Sequence, residues 1–500
     1  MELLTETYKK EISFELSCYD RLVLTGSLRE LSYSQGMTHY MYQNNIKIFD
    51  YAKFAEPYKE IIRVNAESIA KENGLKIEFV HNTNIRKETI VSEKINQRGN
   101  HPGIVHIISA MEACPSYQPW HDKVSGKTFL KYDSGKCLHY YFYFIDEQVG
   151  LGYIRVPTWC PFHLQVYLNG HNLLAAELKQ AGINYTMIDN AFDSIGDPQK
   201  AQKLANNISI DKLHRKLEEF EWRFCPVYKD FKVRYQWSVM QAEYSTDIVF
   251  SEQTRLQAIY GELMATAIHT VKPDNIATFL GHKLDPRYQG EIGNNYHVRI
   301  EGSRIKHIMG RSSIKMYDKF SKILRIETTT NDISFFKHYR EVVHRDGTTS
   351  HEIANLKKSI YSLAFLSENL NAANKRYLEF ISAFNNRDVG RNRLMKVTAS
   401  KNDNNRNYKG FNFFNDQDLS VLMAILRGEF NINGFRNKSL QKLLGLNGSK
   451  ISRLVKRLKV HGLIKKVAGS YKYYITKLGK ETIIMAQKIK EMVLVPAYCY

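Results

Sequence analysis

Three runs between Trp237 and Thr330 alternate polar and apolar side chains with a period of two, and that period limits what this part of the chain can become. In QAEYSTD the residues Gln241, Glu243, Ser245 and Asp247 share one side, and Ala242, Tyr244 and Thr246 share the other. SIKMYDK aligns Lys315, Tyr317 and Lys319 against Met316 and Asp318, and LRIETT aligns Arg325 with Glu327 while leaving Leu324 and Ile326 for a core. Such alternation belongs to strands with one covered face. Set side by side with those faces together, the three strands would gather three carboxylates, a phenol and three cations.

That set suits phosphoryl chemistry. Glu243, Asp247 and Glu327 offer the hard oxygen ligands that Mg²⁺ or Mn²⁺ prefers, and such an ion polarises a scissile phosphate. Tyr317 would attack phosphorus, with Lys315, Lys319 and Arg325 lowering its pKa and balancing charge in the transition state. The plainer alternative is a half-exposed sheet whose Glu/Lys and Glu/Arg pairs only stabilise it. His307, close in sequence to Tyr317, is a further candidate for a metal shell, and EGSRIKHIMGRSS reads as a phosphate-contacting loop. His163 and His171, eight positions apart, do not have the spacing of a paired metal motif, and His139 on a very aromatic strand reads as a core histidine. The run HYYFYF reads as sheet core, with base stacking as its functional alternative. No G-x-x-x-x-G-K-[ST] occurs, so ATP hydrolysis is unsupported.

The chain has 500 residues, which at ~100 to 200 per domain suggests three or four domains. Residues 1–110 mix short patterns without a recognisable fold. Residues 111–235 read as an α/β region, with strands at Cys137–Ile145, Gly150–Val156 and His163–Leu168 and a charged helical stretch from Gln199 to Phe224. Residues 236–390 hold the alternating strands, a helix with Ser251 and Thr254 as capping candidates, and a long helical region from about Glu352 to Phe384. An Asn-rich stretch within residues 391–418 reads as a linker, leaving 419–500 as a C-terminal module. The expected fold class is α+β.

Charge points to the partner. Lys and Arg number 71 against 51 Asp and Glu, for a net +20, and residues 391–500 alone hold 22 basic and 6 acidic side chains. A basic module of this kind suits a polyanion. Six scattered cysteines form no zinc or redox motif, no apolar run approaches ~18 residues, and the opening residues lack a leader pattern, so a cytoplasmic location is expected with no membrane partner.

Within residues 419–500, DLSVLMAILRGEF, KSLQKLLGL and SKISRLVKRLKVHGLIKKV followed by SYKYYITKLGK read as a winged helix-turn-helix. Ile451, Leu454, Val455 and Leu458 form the apolar face of its third helix. Ser449, Lys450, Ser452, Arg453, Lys456 and Arg457 from that helix, with Lys472 from the wing, are the expected DNA-binding residues. The segment resembles the winged helix of MarR-type regulators.

The order E-x-x-x-D, then G-x-x-S-x-K-x-Y-D-K, then L-R-I-E resembles the core of the rolling-circle replication initiators of small plasmids, and more loosely those of filamentous phages. The resemblance implies a central antiparallel sheet of replication-initiator type, a divalent metal, and a tyrosine that nicks one DNA strand to leave a 5′-phosphotyrosyl link and a free 3′-OH. On it, Tyr317 matches the nucleophile, Glu243 and Asp247 the acidic pair, and Glu327 the later carboxylate. Glu243 stands where the family has Asp, Gln241 where it has Arg, and the gap between the last two strands is shorter.

The expected activity is therefore strand nicking as a replication initiator, transposase or relaxase-like protein, on duplex DNA held by the winged helix and a single strand at the tyrosine. The alternative is a non-catalytic winged-helix regulator or structural DNA-binding protein. RNA remains an alternative substrate and a homodimer an open arrangement.

Overall fold

A computed structural model of the chain describes residues 3–81, 85–231, 233–284, 288–299, 302–382 and 395–489. The fold is mixed α+β. Two compact units are present: one comprises Cys18–Tyr244 and Asn331–Ser367, the other Met1–Ser17, Ser245–Thr330 and Glu368–Tyr500. Among the described residues, no helix is long and apolar enough to cross a membrane.

The first unit takes in the strand β1 (Ile12–Ser27) from Cys18 onward, then helix α1 (Tyr51–Glu72), strand β2 (Ile77–Phe79) and helix α2 (Lys87–Arg98). Strands β3 (Gly103–His121), β4 (Thr128–Asp146), β5 (Gly150–Pro157) and β6 (Leu164–Asn169) follow, with helices α3 (Gly170–Gln180) and α4 (Ile210–Phe224). The strand order is β1-β6-β5-β4-β3-β2, antiparallel except for the β2–β3 pair.

The HYYFYF run explains itself once both faces of β4 are covered. Tyr141 and Tyr143 pack with Val91 of α2, while Phe142 and Phe144 meet Phe224 and Phe220 of α4 at ring-centroid distances of 4.7 and 4.6 Å. All are buried, so the run is core and offers no platform to a base. His139 is buried too, and desolvation pulls its pKa down to about 4. Where one helical stretch from Gln199 to Phe224 is expected, two form, Pro198–Asn206 and α4. Asp197 and Ser209 each cap a start by accepting a backbone N–H, so the second cap restarts the helix after Asn207.

The second unit takes in the strand β7 (Gln236–Phe250) from Ser245 onward, helix α5 (Gln253–Thr270), and the strands β8 (Ile292–Arg299), β9 (Gly302–Met309), β10 (Ser312–Lys319) and β11 (Ile323–Thr330). Its strand order is β8-β9-β10-β11-β7. Neither Ser251 nor Thr254 caps α5, whose N-cap is Glu252 without a side-chain bond; the Ser251 hydroxyl donates to the Glu11 carbonyl instead. Where a helix is expected from Glu352, residues up to Asn355 instead finish a hairpin of the first unit, Lys337–Val343 paired with Thr349–Asn355, and helix α6 starts only at Leu363 and runs to Ser382.

Helix α6 covers the apolar side of these strands. Ile305, Ile314, Met316 and Ile326 are buried there, and polar groups on that side find partners: Thr328 Oγ1 donates to Asn374 Oδ1 at 2.6 Å, and His307 sits 3.0 Å from the Tyr377 hydroxyl. The opposite side carries Tyr317.

The C-terminal part begins with a small hairpin of β12 (Lys401–Asp403) and β13 (Arg406–Tyr408). Helices α7 (Asp416–Leu426), α8 (Asn437–Leu444) and α9 (Gly448–Val460) follow, with a short helix Gly428–Asn433 between the first two, then the hairpin β14 (Ile464–Lys466) and β15 (Tyr473–Ile475), and helix α10 (Lys477–Ile489). Gly445 ends α8 in the left-handed conformation, and the Asn447 side chain caps α9 by accepting from Lys450 N at 3.0 Å. The stretch expected to be a linker is not a plain tether: it contains the β12–β13 hairpin, and its Phe411 and Phe413 are buried, while 391–394 lie outside the described residues.

Candidate functional site

Register decides which polar side chains meet. Across the antiparallel ladder, Arg304 lies opposite Tyr317 and Tyr317 opposite Arg325; one row over, Lys306 lies opposite Lys315 and Lys315 opposite Glu327. On the next strand out, His297 faces Arg304 and Asn295 faces Lys306. Directly opposed residues share a face with Cβ atoms about 4.5–5.5 Å apart. From Gly302 on, EGSRIKHIMGRSS is thus not a loop. Gly302–Ser313 folds into β9, a tight turn at Gly310 and the start of β10, and its Arg304 and Lys306 fall on the Tyr317 side.

At the centre of that face the Tyr317 hydroxyl donates to Glu327 Oε2 at 2.8 Å, while Lys315 Nζ donates to Glu327 Oε1. Thr329 Oγ1 adds a third donor at 3.3 Å. Glu327 is buried, whereas Tyr317, Lys315, Arg304 and Lys306 are half-buried. The arrangement is a phenol aimed at a desolvated carboxylate, with cations beside it. A carboxylate so placed can take the phenolic proton. Lys319 shares the face, two residues along from Tyr317, and its ammonium lies 5.1 Å from the Phe320 ring.

Arg325 does not play the part expected of it. It has no exposed surface, and its guanidinium gives both oxygens of Asp247 a hydrogen bond of 2.6 Å, Nε to Oδ1 and Nη2 to Oδ2. A fully buried guanidinium committed to a carboxylate cannot reach a substrate phosphate. Asp247 is correspondingly engaged, and Glu327 is held by its three donors. The set Glu243, Asp247 and Glu327 therefore does not fit a divalent ion as a three-carboxylate ligand group.

Four residues before Asp247 on β7, Glu243 belongs to the first unit, where it is buried, accepts from Gln241 Nε2 at 3.3 Å and lies 3.8 Å from Arg21 Nε. Its neighbour there is Asp20, which no local sequence pattern singles out. Asp20 of β1 is also buried, and carboxylate oxygens of Asp20 and Glu243 lie within 4.8 Å of each other. His171 Nδ1 and Asn190 Nδ2 each stand 3.0 Å from Asp20 Oδ1.

His307 is excluded from any metal shell near Tyr317. It lies on the opposite side of β9, between Asn294 Oδ1 at 2.7 Å and the Tyr377 hydroxyl, and burial lowers its pKa to about 3. Asp318, also on that side, has its pKa raised to about 6 by burial.

In the C-terminal part, Ser449, Lys450, Ser452 and Arg453 are exposed along α9 and Lys472 is half-buried on the β14–β15 hairpin. Arg457 is not on the solvent face with them. Its Nη1 and Nη2 donate to the two oxygens of Asp418 at 2.7 and 2.9 Å, Nε and Nη2 donate to the carbonyls of Lys409 and Gly410, and the guanidinium lies 4.0 Å over the Phe411 ring. Lys456 is exposed but bridges to Asp403 at 2.7 Å. Both cations hold the β12–β13 hairpin rather than standing ready for a phosphate.

No family model, curated protein or solved structure matches this chain.

Proposed function

We propose that this chain nicks one strand of DNA through Tyr317, with Glu327 as the proton acceptor, and that residues 419–500 form a winged helix that holds duplex DNA. The observation that carries the reading is the hydrogen bond from the Tyr317 hydroxyl to buried Glu327, on a face that also presents Arg304, Lys306 and Lys315. In the cleavage step the Tyr317 oxygen bonds to phosphorus, its proton passes to Glu327, and the P–O3′ bond breaks. The 3′ oxygen leaves, taking a proton from solvent, and the 5′ phosphate stays on the tyrosine. Arg304 and Lys306, rather than Arg325, are the cations placed to balance charge on the phosphate. The order α7, the short helix Gly428–Asn433, α8 and α9, followed by the β14–β15 hairpin, supports the winged-helix reading with one added short helix, as does the exposed basic side of α9. The resemblance to replication initiators agrees with this chemistry but not with its metal set.

For a divalent cation, Asp20 and Glu243 are the carboxylates that fit, since both are buried and their oxygens lie within 4.8 Å of each other, beside Arg21 and His171. Mg²⁺ or Mn²⁺ bound there would supply charge balance for a polyanion. A cytoplasmic location is part of the proposal, supported by the burial as thiols, outside any disulfide, of Cys114, Cys137, Cys160 and Cys225.

The second reading, a non-catalytic DNA-binding protein, is favoured by the sealed Arg325–Asp247 pair. Incubation with supercoiled and single-stranded DNA, with and without Mg²⁺ or Mn²⁺, separates the two on denaturing gels, and single-stranded RNA serves as a parallel substrate. A covalent adduct that Tyr317→Phe abolishes supports nicking. Binding without any adduct leaves the regulator.

A further inference from the structure

The hairpin β12–β13 and the end of α9 present a surface that the winged-helix reading does not use. Two strands of three residues cannot hold themselves together in water. This pair is fixed from outside: Arg457 grips the carbonyls of Lys409 and Gly410 and lies over Phe411, and Lys456 bridges to Asp403. Asp418 completes the clamp from the start of α7. Two of the cations on α9 are thus spent on holding an eight-residue element in place.

What that element exposes is one-sided in chemistry. Asn404 and Asn405 form its tip, both with positive φ (50° and 58°), as a tight two-residue turn requires. Asn402, Asn405, Arg406, Asn407 and Lys409 are all exposed. The hairpin's single acid, Asp403, is the residue that Lys456 neutralises. The outcome is a rigid projection carrying carboxamides and cations with its one negative charge covered. Carboxamides donate to phosphate oxygens and to groove edges, and Arg and Lys neutralise phosphates.

We propose that the β12–β13 hairpin is a second DNA-contacting element, lying on the backbone of the same duplex that α9 holds, with Arg406 and Lys409 on phosphates and the Asn404–Asn405 tip at a groove edge. The proposal rests on the winged-helix reading. It adds a contact beside the C-terminal end of α9, where Arg457 and Lys456 themselves are occupied.

The test measures binding of the full chain to a labelled duplex by fluorescence anisotropy across a salt series. Three proteins are compared: wild type, Arg406→Glu, and the helix double variant Lys450→Ala/Arg453→Ala. Arg406 is exposed, so its substitution should leave the thermal unfolding midpoint unchanged. The expected result is an affinity about tenfold lower for Arg406→Glu, with the slope of log affinity against log salt reduced by about one. If the helix variant weakens binding while Arg406→Glu binds as wild type with the same salt slope, the hairpin inference is overturned and the winged helix stands. If the wild type binds no duplex, both fall together.

Discussion

Replacing Arg325 with methionine keeps most of the apolar volume and removes the charge that Asp247 answers. In the native protein both Asp247 oxygens are bonded to that guanidinium at 2.6 Å, and neither side chain reaches solvent to any useful extent, at 0% exposure for Arg325 and 2% for Asp247. Removing one partner of such a pair leaves an uncompensated buried charge and costs about 3–5 kcal/mol. At about 2–4 °C per kcal/mol for a unit of this size, the unfolding midpoint should fall by roughly 6–20 °C. The stranded carboxylate would then prefer to be protonated, so its folded-state pKa rises above the unfolded value. Stability gained from protonation is present at low pH and lost as pH rises, and Arg325→Met should lose most against wild type at neutral and alkaline pH. The double variant Asp247→Asn/Arg325→Met should recover much of the loss and its pH dependence. Differential scanning calorimetry from pH 5 to 8 is the assay. A single variant within ~1 kcal/mol of wild type, or a double variant as unstable as the single, would refute the view that these two residues are a sealed structural pair.

Further outcomes follow from the same geometry. Glu327→Gln should reduce adduct formation about 10²- to 10⁴-fold while duplex affinity, read by anisotropy, stays within error of wild type. His307 has a folded pKa near 3 against 6.5 unfolded, so the unfolded state binds the extra proton between those values; stability should fall as pH drops from 6.5 toward 3, and His307→Gln should flatten that part of the profile in urea melts. Glu221 shows the opposite sign, its pKa raised by burial to about 7 from 4.5, so stability falls as pH rises through that window, and Glu221→Gln should stabilise the protein at pH 8 by about 1–3 kcal/mol in the same melts. Arg304→Ala should weaken single-stranded DNA binding and reduce its salt slope by about one, a change that a purely structural arginine would not produce.

Period-two patterning carried the reading of β7, β10 and β11 because each has one face under α6 or the core and one polar face. The same logic could not reveal partners. Arg325 and Glu327 lie on one side of one strand, yet Arg325 goes to Asp247 and Glu327 to Lys315 and Tyr317, a choice set by register across three strands. Two glycines and four cations in EGSRIKHIMGRSS suggest a phosphate-contacting loop; the tight turn at Gly310 instead pairs Arg304 and Lys306 with Tyr317 and Lys315. Asp20 carries no local signal, because its companion Glu243 is more than two hundred residues away. The helical expectation from Glu352 overlaps only the end of the exposed hairpin's second strand, where neither face is buried and no apolar period marks a strand.

The clamp on the β12–β13 hairpin has a consequence for how such a surface can diverge. Arg457 holds the segment through two main-chain carbonyls and a ring that lie just after the hairpin, not through the side chains at its tip. A grip of that kind is indifferent to what Asn404, Asn405 and Arg406 are, provided the turn can still form. The tip is therefore an exchangeable part. Its sequence can drift or be re-engineered with little effect on the fold behind it.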